Sequence, residues 1–382
     1  MRILISAAIL LLHQLTAAFQ IPHQALKQNV KTELSATWSN GQSIQEYQDF
    51  LAGKNQGPSE EGDIPSVIMT NDATNNNKYV NALITMSQGE DVIISPNDEI
   101  PSTLAGRESF PIYIVLNPYE LDAALRENLY RWNDKIDDFV FITWENTCIE
   151  QVLKPFGLPR DTTSQLMPTI TFPDPPYQPQ DMAISYDLDQ YGEQKRAMES
   201  LACGKWKDVI AARLANNVIH CGTSFYRDYR RAMWEKIIFY AVFNIIGAVR
   251  DQPTSFEDCA LYYGEEVSDM VWQMSTMLRG SLAITLSYGF EERMFTFAEK
   301  CGRDIPCELN EGNFQFCNGV IWELSKTGLS MGLGDPAPLH TEYIVYAVRE
   351  KGMLQGLEFP YAPMDQKLSI MRQGNLRADG VL

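Results

Sequence analysis

At 382 residues, with 45% hydrophobic and 21% charged residues, the chain has the composition of a globular protein with room for two ordinary domains, not of a disordered one. A formal net charge of −18 without a visible Lys/Arg patch argues against a duplex nucleic-acid partner, because neutralising phosphates needs clustered cations. The cysteines (Cys148, Cys203, Cys221, Cys259, Cys301, Cys307 and Cys317) are odd in number and irregularly spaced, with no CxxC pair. That pattern favours free thiols in a reducing compartment over a disulfide framework or a zinc site. His13 and His23 lie in the leader, so a His-based metal centre is not expected.

Met1-Arg2 followed by the apolar run Ile3 to Leu12 is a charged start and a hydrophobic region of signal-peptide length, and Thr16-Ala17-Ala18 supplies small residues for cleavage. His13-Gln14 interrupts the run too early for a membrane span, so no stable membrane insertion is expected. Phe19-Gln20-Ile21-Pro22, then Lys27 and Lys31 with no acid before Glu33, have transit-peptide composition. Ala17-Ala18-Phe19 resembles the cleavage motif of bipartite plastid presequences in algae with secondary plastids. The expectation is a signal peptide over 1–18, a transit peptide and linker over 19–63, and a plastid stromal location, with simple secretion as the alternative.

The pattern then predicts a strand at Ser66–Met69, a helix over Asn75–Met86 and a strand at Asp91–Ile94, the opening βαβ of a dinucleotide-binding fold. Strands at Pro111–Leu116 and Phe139–Ile142 flank a helix over Leu121–Tyr130, and a helix at Ile149–Lys154 precedes a strand over Met167–Phe172. A Pro-rich crossing, the helix Lys205–Leu214 and a strand at Val218–Cys221 close an α/β Rossmann-like domain, residues 64–224. No glycine lies between Gly62 and Gly89, so Asn71, Ala73 and Asn76 stand at the three fingerprint positions. Asn tolerates left-handed dihedrals, whereas Ala73 puts a methyl group where backbone must approach a pyrophosphate. Those three residues and Asn117 are the cofactor-side candidates; Asp98 is a late-placed candidate for a ribose. No Lys or Arg occurs from Tyr79 to Gly106, so a 2′-phosphate clamp is absent there.

After Ser224, read as a helix cap, the pattern is wholly helical: Phe225–Val249, one or two helices over Asp258–Leu286, Phe290–Glu299, Phe314–Lys326 broken by Gly328, and Leu339–Lys351. This defines an all-α C-terminal domain, residues 225–352, and a tail, 353–382. Its first helix is apolar through Trp234, Ile237, Ile238, Ala241, Val242 and Ile245, yet carries Lys236. A charge there is costly unless paired or facing a cleft. Two readings stay open: a structural lysine paired with Glu235 or another carboxylate, or a proton donor.

Trp234-Glu235-Lys236 with Asn244, then Asn318-Gly319-Val320-Ile321 and Asp335-Pro336-Ala337-Pro338, resemble the C-terminal domain of ketopantoate reductases in the 6-phosphogluconate-dehydrogenase-like superfamily. Gln88-Gly89-Glu90-Asp91-Val92, Arg131-Trp132-Asn133-Asp134, Gly204-Lys205-Trp206, Glu291-Glu292-Arg293 and Pro338 to Tyr343 are similar to a plant and algal group of predicted NAD(P)-binding oxidoreductases. The resemblance implies hydride transfer from NADPH or NADH to the ketone of a small keto acid. It makes Lys236 the proton donor and Asn146 and Asn244 the positioning groups. Tyr240, Asn313 and Cys301 replace an asparagine, a carboxylate and a serine of that family's substrate site. A second expectation therefore stands beside the first: a non-catalytic relative that binds a metabolite or a protein.

Among other candidates, Cys148 and Cys301 read as small buried fillers sooner than nucleophiles, and His340 as a helix-start hydrogen bond sooner than a base beside Glu342. Glu291-Glu292-Arg293 reads as a solvated helix face with local ion pairs. Met270, Trp272, Met274 and Met277 read as core or as the interface of a homodimer.

Overall fold

The structure, a computed structural model, describes residues 62–72, 77–143, 147–158, 162–172, 178–188 and 194–354. The leader, Ala73, Asn76, Asn146 and the tail beyond 354 lie outside the described residues.

Four consecutive buried residues form the first strand, Val67–Thr70 (β1). Helix Lys78–Met86 (α1) starts at Asn77, whose Oδ1 accepts from the backbone N–H groups of Tyr79 and Val80 at 3.1 and 3.3 Å. Val92–Ile94 (β2), Ile112–Val115 (β3), Pro118–Asn128 (α2), Phe139–Ile142 (β4), Ile149–Leu153 (α3) and Ser164–Met167 (β5) follow. Two small hairpin pairs come next, Ile170–Thr171 (β6) with Gln180–Asp181 (β7), and Ile184–Leu188 (β8) with Gln194–Arg196 (β9). Ser200–Cys203 (β10), Lys207–Ala215 (α4) and Cys221–Ser224 (β11) complete the α/β part.

The main sheet has the order β2-β1-β3-β4-β5-β10-β11, with the first five strands parallel and the last two reversed. Successive strand residues point to opposite faces. Ile68, Tyr113, Val140 and Leu166 therefore pack under α1 and α4, and Val67, Ile112, Phe139 and Met167 under α2 and α3. The second of these cores runs without a break into the helices Tyr226–Ala248 (α5), Phe256–Tyr262 (α6), Gly264–Leu282 (α7), Phe290–Cys301 (α8), Glu311–Phe314 (α9), Asn318–Ser330 (α10) and Pro338–Arg349 (α11). A Rossmann-like α/β unit followed by an all-α unit is thus the architecture.

Several expected elements shift. The sheet strand is Ser164–Met167, and Ile170–Thr171 leaves the sheet to pair with β7, so Met167–Phe172 is not one strand. Ser200–Cys203, flanked by short polar stretches, is a central strand that the sequence pattern does not announce. Val218 is 90% exposed with φ of 59°, a turn residue, and the last strand begins at Cys221. Phe225, not Ser224, occupies the cap position of α5, without a side-chain cap bond. Gly328 does not break its helix: α10 runs through it, and the glycine is there for close approach, since a Cβ would lie 2.7 Å from the Gly334 carbonyl oxygen.

The amino ends of β1 and β2 are held by Arg213 of α4, whose side chain is fully buried. Its Nε donates to Asp63 at 2.9 Å, Nη1 to Ser66 Oγ at 2.8 Å, and Nη2 to Asp91 at 3.1 Å and to the Ile64 carbonyl at 2.9 Å. Removing one partner of such a cluster leaves buried charge uncompensated. Arg213→Met should lower unfolding stability by about 3–5 kcal/mol, read from urea midpoints, and Asp63→Asn by visibly less.

Candidate functional site

The chain passes from β1 outward to β2 and returns to β3 on the other side of β1, so the carboxyl ends of β1 and β3 flank a topological switch point. A crevice of about 330 Å³ lies there, lined by Asn71, Asn97, Tyr119, Glu120, Glu127 and Asn128 among others, with no Lys or Arg among its described lining residues; Arg131 adjoins it, donating to Asn128 Oδ1 at 2.8 Å and the Asn97 carbonyl at 3.2 Å. Asn71 is exposed and faces it. Asn117 is committed elsewhere: its Oδ1 accepts from Tyr119 and Glu120 N–H, both at 3.0 Å, while its own N–H donates to Glu120 Oε2 at 2.9 Å. That capping box places a carboxylate at the start of α2, and Asn77 occupies two amides at the start of α1. Asp98 accepts from Ser95 N–H at 2.7 Å and shapes a turn.

Helix α5 crosses the carboxyl ends of β4 and β5. Tyr229, fully buried, shares a hydrogen bond of 3.1 Å with Thr143 just past β4. One helical face further along, Lys236 is 3% exposed and its Nζ donates to the Pro168 carbonyl just past β5 at 2.5 Å. Glu235 does not pair with it. Its carboxylate accepts two bonds from Arg293 of α8, at 2.7 and 2.8 Å. Burial pushes the Glu235 carboxyl upward in pKa, and the guanidinium pulls it back. Arg293 is therefore a half-buried docking residue, and Glu291 accepts from the Trp272 indole at 2.6 Å, which corrects the reading of Glu291-Glu292-Arg293 as a merely solvated face.

Asn244 lies two turns beyond Lys236 and is 5% exposed, with its Oδ1 accepting from Glu308 N–H at 3.1 Å. In this state it pins the segment before α9. Tyr240 packs edge-on against Phe256 and Phe297. Asn318 opens α10 and sits 2.8 Å from His340 Nε2, both buried. The side chain of Asn313 lies outside the described residues, as does Asn146. Lys236 thus comes to the carboxyl edge of the sheet, while Asn244 and Asn117 are engaged in structural bonds. Pro168, Tyr229, Thr143 and Arg293 complete the surroundings; the sequence named the stretches that hold Tyr229, Pro168 and Arg293 but gave none of them a role at this site.

Burial pushes the thiols of Cys148, Cys203 and Cys317 well above the usual range and that of Cys221 up to about 12, which makes them poor nucleophiles. All seven cysteines are free. Met270, Met274 and Met277 are core, whereas Trp272 is 53% exposed. No group of His, Cys, Asp and Glu among the described residues could hold a metal. No helix among them is long and apolar enough to cross a membrane.

No family model and no curated protein matches the chain. Solved structures do. A ketopantoate reductase of the PanE/ApbA family from Ralstonia eutropha JMP134 aligns with a TM-score of 0.46 and 14% identity over 75% of this chain and 99% of its own. A 2-dehydropantoate 2-reductase from Methylococcus capsulatus gives 0.45 and 12% over 76% and 98%. A D-mandelate dehydrogenase in complex with NADH gives 0.39 and 12% over 63% and 84%. These are distant likenesses of fold, and the architecture stands on the chain's own strand order.

Burial holds the His340 imidazole neutral, with its pKa lowered from 6.5 to about 3. Between those values the unfolded chain binds the extra proton, so this contribution is complete above pH 6.5 and is lost as pH falls toward 3. Between pH 6.5 and about 4.5 the wild type should lose about 2 kcal/mol more stability than His340→Gln, measured by urea unfolding at each pH.

Proposed function

We propose that the chain is a nicotinamide-dinucleotide-linked oxidoreductase that reduces a small keto acid, with Lys236 delivering the proton to the carbonyl oxygen. The observation that carries this reading is the placement of Lys236: a buried ammonium at the carboxyl edge of β5, on the same edge as the switch-point crevice. Three strand spacings separate β1 from β5, roughly 14 Å, a distance suited to a dinucleotide whose two bases lie a pyrophosphate apart. The bound nicotinamide would supply the hydride.

The crevice suits the sugar and base of such a cofactor. Asn71 and Asn97 offer amides, and Glu120 and Glu127 offer acceptors for ribose hydroxyls. The same two carboxylates, with no Lys or Arg among the described lining residues and the adjoining Arg131 committed to Asn128 Oδ1 and to the Asn97 and Asp98 carbonyls, disfavour a 2′-phosphate, so NADH is the preferred partner over NADPH. Lys236 donates from Nζ to the Pro168 carbonyl and would hand a proton to a substrate oxygen arriving beside that carbonyl. Asn146 and Asn244 are the proposed positioning groups, the latter once its bond to Glu308 is exchanged.

A second reading, a scaffold that binds a metabolite or protein without turnover, is favoured by the filled helix starts at Asn77 and at Asn117–Glu120. A plastid stromal location and a homodimer remain part of the proposal.

Titrating the purified chain with NADH and NADPH, followed by nicotinamide fluorescence, separates the readings. NADH should bind at least ~10-fold more tightly than NADPH, and Glu127→Arg should narrow that ratio. Lys236→Met should leave NADH affinity within about 2-fold while lowering turnover of small 2-keto acids by about 10²–10⁴. Absence of binding by either cofactor at millimolar concentration sinks the oxidoreductase and leaves the scaffold.

A further inference from the structure

Helix α5 has a second polar face. Arg230 and Trp234, one turn apart, turn away from the Lys236 side and line a cavity of about 590 Å³ between α3, α5, α10 and the end of α7. Its apolar wall includes Trp234, Leu158, Leu282 and Leu324; its charged groups are Glu150, Lys154 and Arg230. Lys236 does not line it.

The charges there do not cancel. Glu150, 8% exposed, accepts from Arg230 Nε at 2.6 Å and Nη2 at 3.1 Å, and from the Tyr226 hydroxyl. Arg230 Nη1 makes no hydrogen bond among the described residues, and Lys154 enters no ion pair among them. Among the described lining residues one positive charge is left over, in a chain whose formal net charge is −18.

We propose that this cavity binds an apolar monocarboxylate, its carboxylate between Arg230 Nη1 and Lys154 and its hydrocarbon or aromatic body against Trp234 and the leucines. A single surplus positive charge matches a monoanion; a phosphate dianion would bring excess charge and leave the apolar wall uncovered. The volume is that of a small-molecule site. The inference is independent of the reductase reading, since the two sites use opposite faces of α5.

Isothermal titration of the full chain with 4-phenylbutanoate, with 4-phenylbutanamide as the neutral control, tests it. The acid should bind with a Kd below about 1 mM and the amide at least ~10-fold more weakly. Lys154→Gln, at an exposed position where folding is not at stake, should weaken the acid by about 5- to 10-fold. Leu324→Trp, which fills the cavity, should abolish binding in a protein whose urea midpoint shows it folded. Lys236→Met should bind the acid as the wild type does. Equal binding of acid and amide, no acid binding at about 10 mM, an unchanged Lys154→Gln, or loss in Lys236→Met would each overturn the proposal.

Discussion

A helix buried on nearly every side cannot carry polar side chains unless each finds a partner, and α5 carries several. Its 23 residues include the apolar stripe that fuses the helical core to one face of the sheet. Three of its buried polar side chains tie it to different elements. Glu235 fixes α8 through Arg293, Lys236 fixes the end of β5 through Pro168, and Asn244 fixes the segment before α9 through Glu308. Beyond the helix end, Arg250 donates to Glu266 of α7 at 2.5 Å. The satisfaction of these groups sets the positions of the neighbouring helices as firmly as the apolar contacts do.

The two edges of the parallel strands divide the labour. At the amino edge, Arg213 is locked between Asp63 and Asp91 with every contact internal, an arrangement that serves registry and leaves nothing for a ligand. At the carboxyl edge, α2 and the ends of β1 and β2 line the crevice, and α5 brings Lys236 to the end of β5. Burial at one edge and adaptability at the other are what an α/β sheet needs to be both stable and able to bind.

The elements with strong periodicity were legible in the sequence. Runs such as Ile112 to Val115 and Phe139 to Ile142 are continuous apolar strands, and the span over α5 shows a broad apolar face. What could not be read were partners remote in sequence: Arg293 lies 58 positions from Glu235, and Pro168 lies 68 from Lys236. Local proximity favoured a Glu235–Lys236 pair, yet adjacent residues on a helix point in different directions and cannot face each other. Ser200-Leu201-Ala202-Cys203 is too short and too rich in small residues to declare itself a central strand, though β5 and β10 approach so closely that a Cβ on the neighbouring Gly204 would lie 2.5 Å from Ser164 Cα.

The loss of the glycine fingerprint weighs less than it first seems to, and the crevice's charge weighs more. A side-chain cap such as Asn77 is worth about 0.5–2 kcal/mol, so displacing it for a pyrophosphate weakens binding by roughly 2- to 30-fold. The positive end of the helix returns part of that, about 0.3–1 kcal/mol. Glu120 is harder to displace, since it already occupies the start of α2 as a carboxylate and closes a reciprocal cap with Asn117. Any anion brought to that helix would compete with a charge the chain itself provides. An anion is therefore better accommodated farther along the edge, toward β4 and β5, where Lys236 stands, than at the start of α2.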